Sequence, residues 1–194
     1  FFDTEYKGKF LDIGCFHPTR HNNTYTMYKS GWHGINIDLN PLTIELFNFA
    51  RVKDININAA ISDQEETKTL YFVDELNTQN TLEANHLSFL KNHHNLKEEE
   101  ISKQEVKTKK LDKILDNYNF NDIDFMNIDV EGHELKILNS IDFSKYKIKF
   151  ICIEMIDHNE QSKIVNKELN AILERNDYVL EKKIDFNFIY KKNN

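Results

Sequence analysis

Apolar runs of strand length alternate with helical periodicities along the whole chain, and this alternation constrains the fold more than any other feature. Lys9 to Cys15 (KFLDIGC) is an apolar run of strand length, broken only by an acid near its C-terminal end. Thr24 to Ser30 reads as a helix stopped by Gly31. Ile35 to Asp38 gives a second strand. Asn40-Pro41 then opens a helix, with a capping side chain followed by a proline whose missing N–H is not needed there. Leu42, Leu46 and Phe49 follow at the spacing of one buried face. Ile55 to Ile61 and Asp124 to Val130 read as the third and fourth strands, with a short extra strand at Thr69 to Val73. Leu111 to Tyr118 is a short helix, and Leu135, Leu138 and Ile141 mark another. Phe150 to Met155 is the fifth strand. Val165, Leu169, Ile172 and Leu173 share a helical face, and Tyr178 to Ile184 with Phe186 to Tyr190 form an antiparallel hairpin about Asp185.

The expected architecture is one α/β domain over residues 1–194. Its Rossmann-like sheet is mostly parallel, with a C-terminal antiparallel hairpin and helices on both faces. The polar stretch from Asp74 to Val106 reads as an insertion, with one helix around Leu87, Leu90 and His94 and a KEEE run on a solvated face. The chain opens on Phe1 without an initiator Met, which fits excision from a longer protein. Five glycines and two prolines leave little room for linkers, and a formal charge of −7 gives no strong signal for nucleic acid. Cys15 and Cys152 are too few and too separated for a disulfide framework, so a reducing cytoplasm is expected. No signal peptide and no membrane-spanning run is visible.

Function is written at the strand ends. In open α/β sheets, ligands bind outside the carboxyl ends of the strands, where the strand order reverses. Polar residues sit at those ends here: Asp12 with Gly14, Asp38, Ser62 with Asp63, Asp129 with Glu131, and Glu154. Gly14 allows close backbone approach to a ligand. Phe16, His17 and Pro18 occupy the turn where a phosphate-binding loop would carry glycines, which disfavours pyrophosphate and an NAD-dependent reductase. Asp38 can accept hydrogen bonds from both hydroxyls of a ribose, a contact that identifies a nucleoside but no reaction.

Asp129-Val-Glu131-Gly-His133-Glu134 is the densest cluster of chemistry-bearing groups. Two acids and an imidazole following a buried strand suit proton abstraction from a hydroxyl, or a divalent metal site. The weak metal candidates are Asp129, Glu154 and Asp157; His93-His94 and His17 with His21 lack ligand spacing and read as surface residues.

FLDIGCFHP, NNTYTMYKSGW, GINIDLNP, NAAISD and DFMNIDVEGHELKIL followed by ICIE, in that order, resemble the FkbM-type methyltransferases from about Phe10 to Glu154. The resemblance implies a class I methyltransferase sheet, S-adenosylmethionine (SAM) as cofactor, and O-methylation of a sugar, glycan or small-metabolite hydroxyl. It implies that Asp12, Gly14, Cys15 and Phe16 line the methionine end of SAM. Asp38 and Leu39 would hold ribose and flank adenine, with Ala60, Ile61 and Ser62 bordering the base. Asp129 would face the methionine amino group or the acceptor, with Glu131 and His133 near the transferred methyl. His133 or Asp129 is then the expected base, and His17, Asn23 and Glu154 stand as acceptor-side candidates. An RNA or protein methyltransferase, and a non-catalytic SAM- or nucleotide-binding domain, are the alternatives.

Overall fold

The structure, a computed structural model, describes residues 1–72, 80–84, 91, 97–155 and 160–193. The helix expected around Leu87, Leu90 and His94 lies outside these residues, as do His93, Asp157 and His158.

β1 (Lys9–Ile13) is an interior strand of the main sheet: its FLDI side chains are buried on both faces, as an interior parallel strand requires. It pairs in parallel with β2 (His33–Asp38) on one side and β7 (Asp122–Ile128) on the other. β3 (Ile55–Asn58) extends the sheet beyond β2, and β8 (Lys147–Glu154) extends it beyond β7. The hairpin of β9 (Tyr178–Ile184) and β10 (Asn187–Lys192) joins antiparallel to β8, turning at Asp185 with φ +51°. The resulting order is β3-β2-β1-β7-β8-β10-β9. It reverses between β1 and β7, which makes the ends of those two strands the natural ligand crevice. This is the Rossmann-like sheet with a terminal hairpin that the alternation anticipates.

The Ile55 to Ile61 run divides. β3 stops at Asn58, and β4 (Ala60–Ile61) leaves to pair with β6 (Ser102–Lys109), which also pairs antiparallel with β5 (Thr67–Phe72). The sequence reading missed β6 because SKQEVKTK is exposed along most of its length, so no apolar alternation marks it.

α1 (Tyr25–Lys29) and α2 (Pro41–Ala50) follow β1 and β2, and the Asn40 side chain accepts from the Leu42 N–H at the start of α2. The buried face of α2 is not the expected one. Leu42, Leu46 and Phe49 are exposed, Phe49 by 87%, whereas Thr43, Ile44 and Phe47 are buried. Arg51 explains the rotation. Its guanidinium is buried at the end of α2 and donates to Pro18 O, Thr24 Oγ1 and Asn22 Oδ1 at 2.9, 2.8 and 2.6 Å. That anchor turns Ile44 and Phe47 inward against Cys15. α3 (Leu111–Asn117), α4 (Glu134–Asn139) and α5 (Glu160–Arg175) follow the expected pattern, with Ile137, Leu138, Leu169, Ile172 and Leu173 in the main core. Among the described residues, no helix is long and apolar enough to cross a membrane.

Candidate functional site

The crevice is built by stitching the ends of β1, β2 and β7 together. Gly14 donates to Ile37 O at 2.9 Å, and Asp129 donates to Ile13 O at 3.0 Å. Gly14 has φ +77°, and a Cβ there would stand 1.7 Å from the Asp129 carbonyl oxygen. The glycine is therefore required first by the neighbouring strand, before any ligand is considered.

Around this junction lies a cavity of about 150 Å³. Gly14, Phe16, Asp38, Leu39, Ala60 and Ile61 line one part of it; Asp129, Val130, Glu131 and His133 line another. It shares Leu39, Asn40, Ala59, Ala60 and Asn80 with a second cavity of about 470 Å³, so the two form one elongated cleft. No lysine or arginine lines the first cavity among the described residues.

Asp38 ends β2, facing this cleft. Its two oxygens accept from Asn40 N–H at 2.8 Å and Phe16 N–H at 2.9 Å, with Phe16 held at φ +51°. Burial pushes its carboxyl up to about 6, against the pull of these amides and with the charge of Asp12 adding to the rise. Each oxygen retains a lone pair for a ligand hydroxyl.

Asp12, expected at the methionine end, lies below the cleft and does not line it. It is fully buried and accepts from Asn22 Nδ2, Thr24 Oγ1 and Asn127 Nδ2 at 3.0, 2.7 and 2.9 Å. Burial raises its carboxyl while these bonds and the Arg51 charge oppose the rise. Its role is to pin the loop after β1 against β7. Cys15 likewise points away, into the packing of Ile44 and Phe47. Asn23 donates to Asn127 and Asn187 at 2.9 and 3.3 Å. His17 Nδ1 accepts the Thr19 and Arg20 amides at 3.1 Å each, which caps its own loop.

The acid-bearing turn after β7 holds Asp129, Glu131 and His133. One oxygen from each of Asp129, Glu131 and Glu154 lies within 4.8 Å of the other two. Burial, then the charges of the neighbouring acids, pushes the carboxyls of both Asp129 and Glu154 well above the ordinary range. Three carboxylates this close need a shared proton, a positively charged ligand or a divalent ion. Asp157, the other metal candidate, is outside the described residues. Glu134 does not join them: its Oε1 accepts from Val130 and Gly132 N–H at 3.1 and 3.2 Å and closes the turn.

His133 borders the cleft but is only 2% exposed, and both ring nitrogens are engaged. Nδ1 meets Glu83 Oε1 at 2.7 Å and Nε2 meets Ser62 Oγ at 3.1 Å. Both nitrogens are thus partnered within the protein in this structure. Ser62 is fully buried in the same network and does not border the cavity. The sequence reading also missed His21, Thr43, Asn80 and Leu82, all of which border the cleft. Nothing in their local pattern marks them, since His21 lies in a loop and the other three depend on how the insertion and α2 fold back.

A family model described as the methyltransferase FkbM domain matches residues 12–180. Among solved structures, the chain is similar to the fibrillarin pre-rRNA processing protein of Methanococcus jannaschii, at 16% identity and TM-score 0.49, over 99% of this chain and 69% of that one. It is also similar to methyltransferase FkbM from Methylobacillus flagellatus KT, at 14% identity and TM-score 0.48, over 95% of this chain and 43% of that one. The chain thus spans less than half the length of the latter protein. No curated protein matches it.

Proposed function

The chain belongs to the FkbM methyltransferase family, and from that premise we propose that it transfers a methyl group from SAM to a hydroxyl oxygen of a sugar, glycan or small metabolite. The observation that carries this reading is the carboxylate cluster of Asp129, Glu131 and Glu154 at the strand switch point; Asp129 and Glu131, with Asp38, line a first cavity that no lysine or arginine lines among the described residues. SAM brings a sulfonium and an ammonium against one carboxylate, so the cofactor supplies the positive charge that the cluster lacks. Asp38 accepts from the ribose hydroxyls, with Phe16, Leu39, Ala60 and Ile61 around the nucleoside.

Transfer is an in-line displacement. Bound SAM would supply an electrophilic methyl group and would leave as a neutral thioether when the acceptor oxygen displaces it. The acceptor proton goes to Asp129, which Glu131 and Glu154 assist by orienting the hydroxyl. The sulfonium favours the charged form of Asp129, so cofactor binding prepares the base. The two buried free thiols, Cys15 and Cys152, support a reducing cytoplasmic setting.

Asp38 gives the cofactor assignment a pH signature. Its carboxylate is present above about 6 and lost below, so affinity for S-adenosylhomocysteine is expected to fall as the pH drops from 7.5 to 5. Asp38→Asn is expected to bind about tenfold more weakly at pH 7.5, the equivalent of one charge-assisted hydrogen bond of ~1.5 kcal/mol. Calorimetric titration at the two pH values measures both. The function itself is tested by incubating the protein with methyl-labelled SAM and pools of sugars, glycans and hydroxylated metabolites. Base-stable label in an ether linkage of those pools supports the reading; no label in them, with transfer to RNA or protein offered in parallel, contradicts it. Transfer abolished by chelator and restored by Mg²⁺ would assign the three clustered carboxylates to an ion.

A further inference from the structure

Part of the insertion reaches the site directly. Thr81 is paired with Tyr71 through backbone hydrogen bonds of 2.9 and 3.0 Å, which fixes where its hydroxyl stands. That hydroxyl donates to the Glu131 carbonyl at 2.7 Å and accepts from the Glu83 N–H at 3.0 Å. The Glu83 carboxylate then meets His133 Nδ1 at 2.7 Å. Residues 81–83 therefore grip the acid-bearing turn at two points, the Glu131 carbonyl and the His133 ring.

The turn needs such a grip. Glu131 and Gly132 are consecutively left-handed, with φ +53° and +96°, a conformation that a glutamate adopts only when its surroundings enforce it. From within the turn, Glu134 holds the Val130 and Gly132 amides. From outside, the hold comes from the insertion.

We propose that Glu83 is a positioning residue for methyl transfer: acting through His133, it fixes the turn that presents Asp129 and Glu131. The assignment rests on the methyltransferase reading above and deepens it. A charged carboxylate can only accept, so Nδ1 of His133 carries the proton and donates to Glu83. Burial raises the Glu83 carboxyl, yet the His133 hydrogen bond and the charges of His133 and Lys68 hold it below its ordinary value. With Nε2 against Ser62 at the end of β4, the buried ring spans from the insertion to the nucleoside side of the cleft. Glu83 itself is partly exposed at 32% of its side chain, and its partner His133 borders the cleft. The insertion thus completes the site in addition to shaping its rim.

A double-mutant cycle on SAM affinity, read by calorimetry, tests this. Glu83→Ala and Asp129→Asn are each expected to weaken binding about tenfold, and the double variant to bind within about threefold of Asp129→Asn alone, since both remove the same contact. Glu83→Gln still accepts from Nδ1 and is expected to stay within about threefold of wild type. Amide exchange at Val130 and Gly132 should rise at least about tenfold in Glu83→Ala while Met126 in β7 stays protected. If Met126 loses protection too, Thr81→Val replaces Glu83→Ala in the cycle, with the same expectation. Effects that multiply to about a hundredfold, or unchanged exchange at Val130 and Gly132, overturn the proposal. A wild-type protein that binds no SAM would sink the methyltransferase reading instead, and the exchange pattern would still decide the role of Glu83.

Discussion

Gly14→Ala is expected to destabilise the protein by at least about 3 kcal/mol and to abolish SAM binding in whatever fraction folds. Two effects add. A left-handed φ of +77° costs an alanine roughly 1–2 kcal/mol. The new Cβ would also stand 1.7 Å from a backbone oxygen, Asp129 O, and 2.8 Å from its carbon, and no side-chain rotation relieves that clash. Relief requires β1 and β7 to separate at their ends, which is where the cleft is built. Gly31→Ala is the control. It has a similar φ of +91°, but its Cβ would meet only the flexible Lys7 side chain at 3.3 Å, so only the conformational cost of ~1 kcal/mol should appear. Denaturant unfolding of the two variants beside wild type measures the difference. Equal losses would show that the close approach to Asp129 does not govern the site.

Asp129→Asn is expected to lower methyl transfer by about 10²–10⁴-fold, the range for loss of a general base. The same change should stabilise the ligand-free protein at alkaline pH. The Asp129 carboxyl is raised in the folded state by burial and by its acidic neighbours. A raised carboxyl contributes stability that is complete below its unfolded value near 4 and is lost as pH rises through the folded value. Wild type is thus penalised at pH 8.5 for ionising a crowded acid, and asparagine escapes that penalty. A gain on the order of 1 kcal/mol or more at pH 8.5, shrinking toward zero near pH 4.5, is expected in thermal melts. A variant that is both inactive and less stable at pH 8.5 would mean that Asp129 holds the turn together and is not a strained functional acid.

Much of the molecule was legible because its strongest signals are local. KFLDIGC reads as a strand and FICIE as a buried one from their apolar runs alone, and both are interior strands. Asn40-Pro41 marks a helix start by the chemistry of the backbone alone. The strand ends identified Asp38, Gly14, Asp129 and Glu131, all of which border the cleft. What was hidden depends on partners distant in sequence. β6 is a polar strand recruited by β4 and β5, and the inward face of α2 is chosen by a buried arginine that composition would assign to the surface. Asp12 and His133 have the residue types of a site, but Asn22, Thr24 and Asn127 claim one and Glu83 and Ser62 the other. Periodicity cannot reveal that a polar side chain is already satisfied.

We infer that the crevice at the ends of β1, β2 and β7 is a SAM site. Titration of the protein with SAM, and separately with NAD, at pH 7.5 tests it most directly, with Asp38→Ala as the control. One-site binding of SAM, weakened about a hundredfold or more in Asp38→Ala and with no NAD binding, is the predicted result. Binding of NAD in preference to SAM, or SAM affinity indifferent to Asp38, would contradict it.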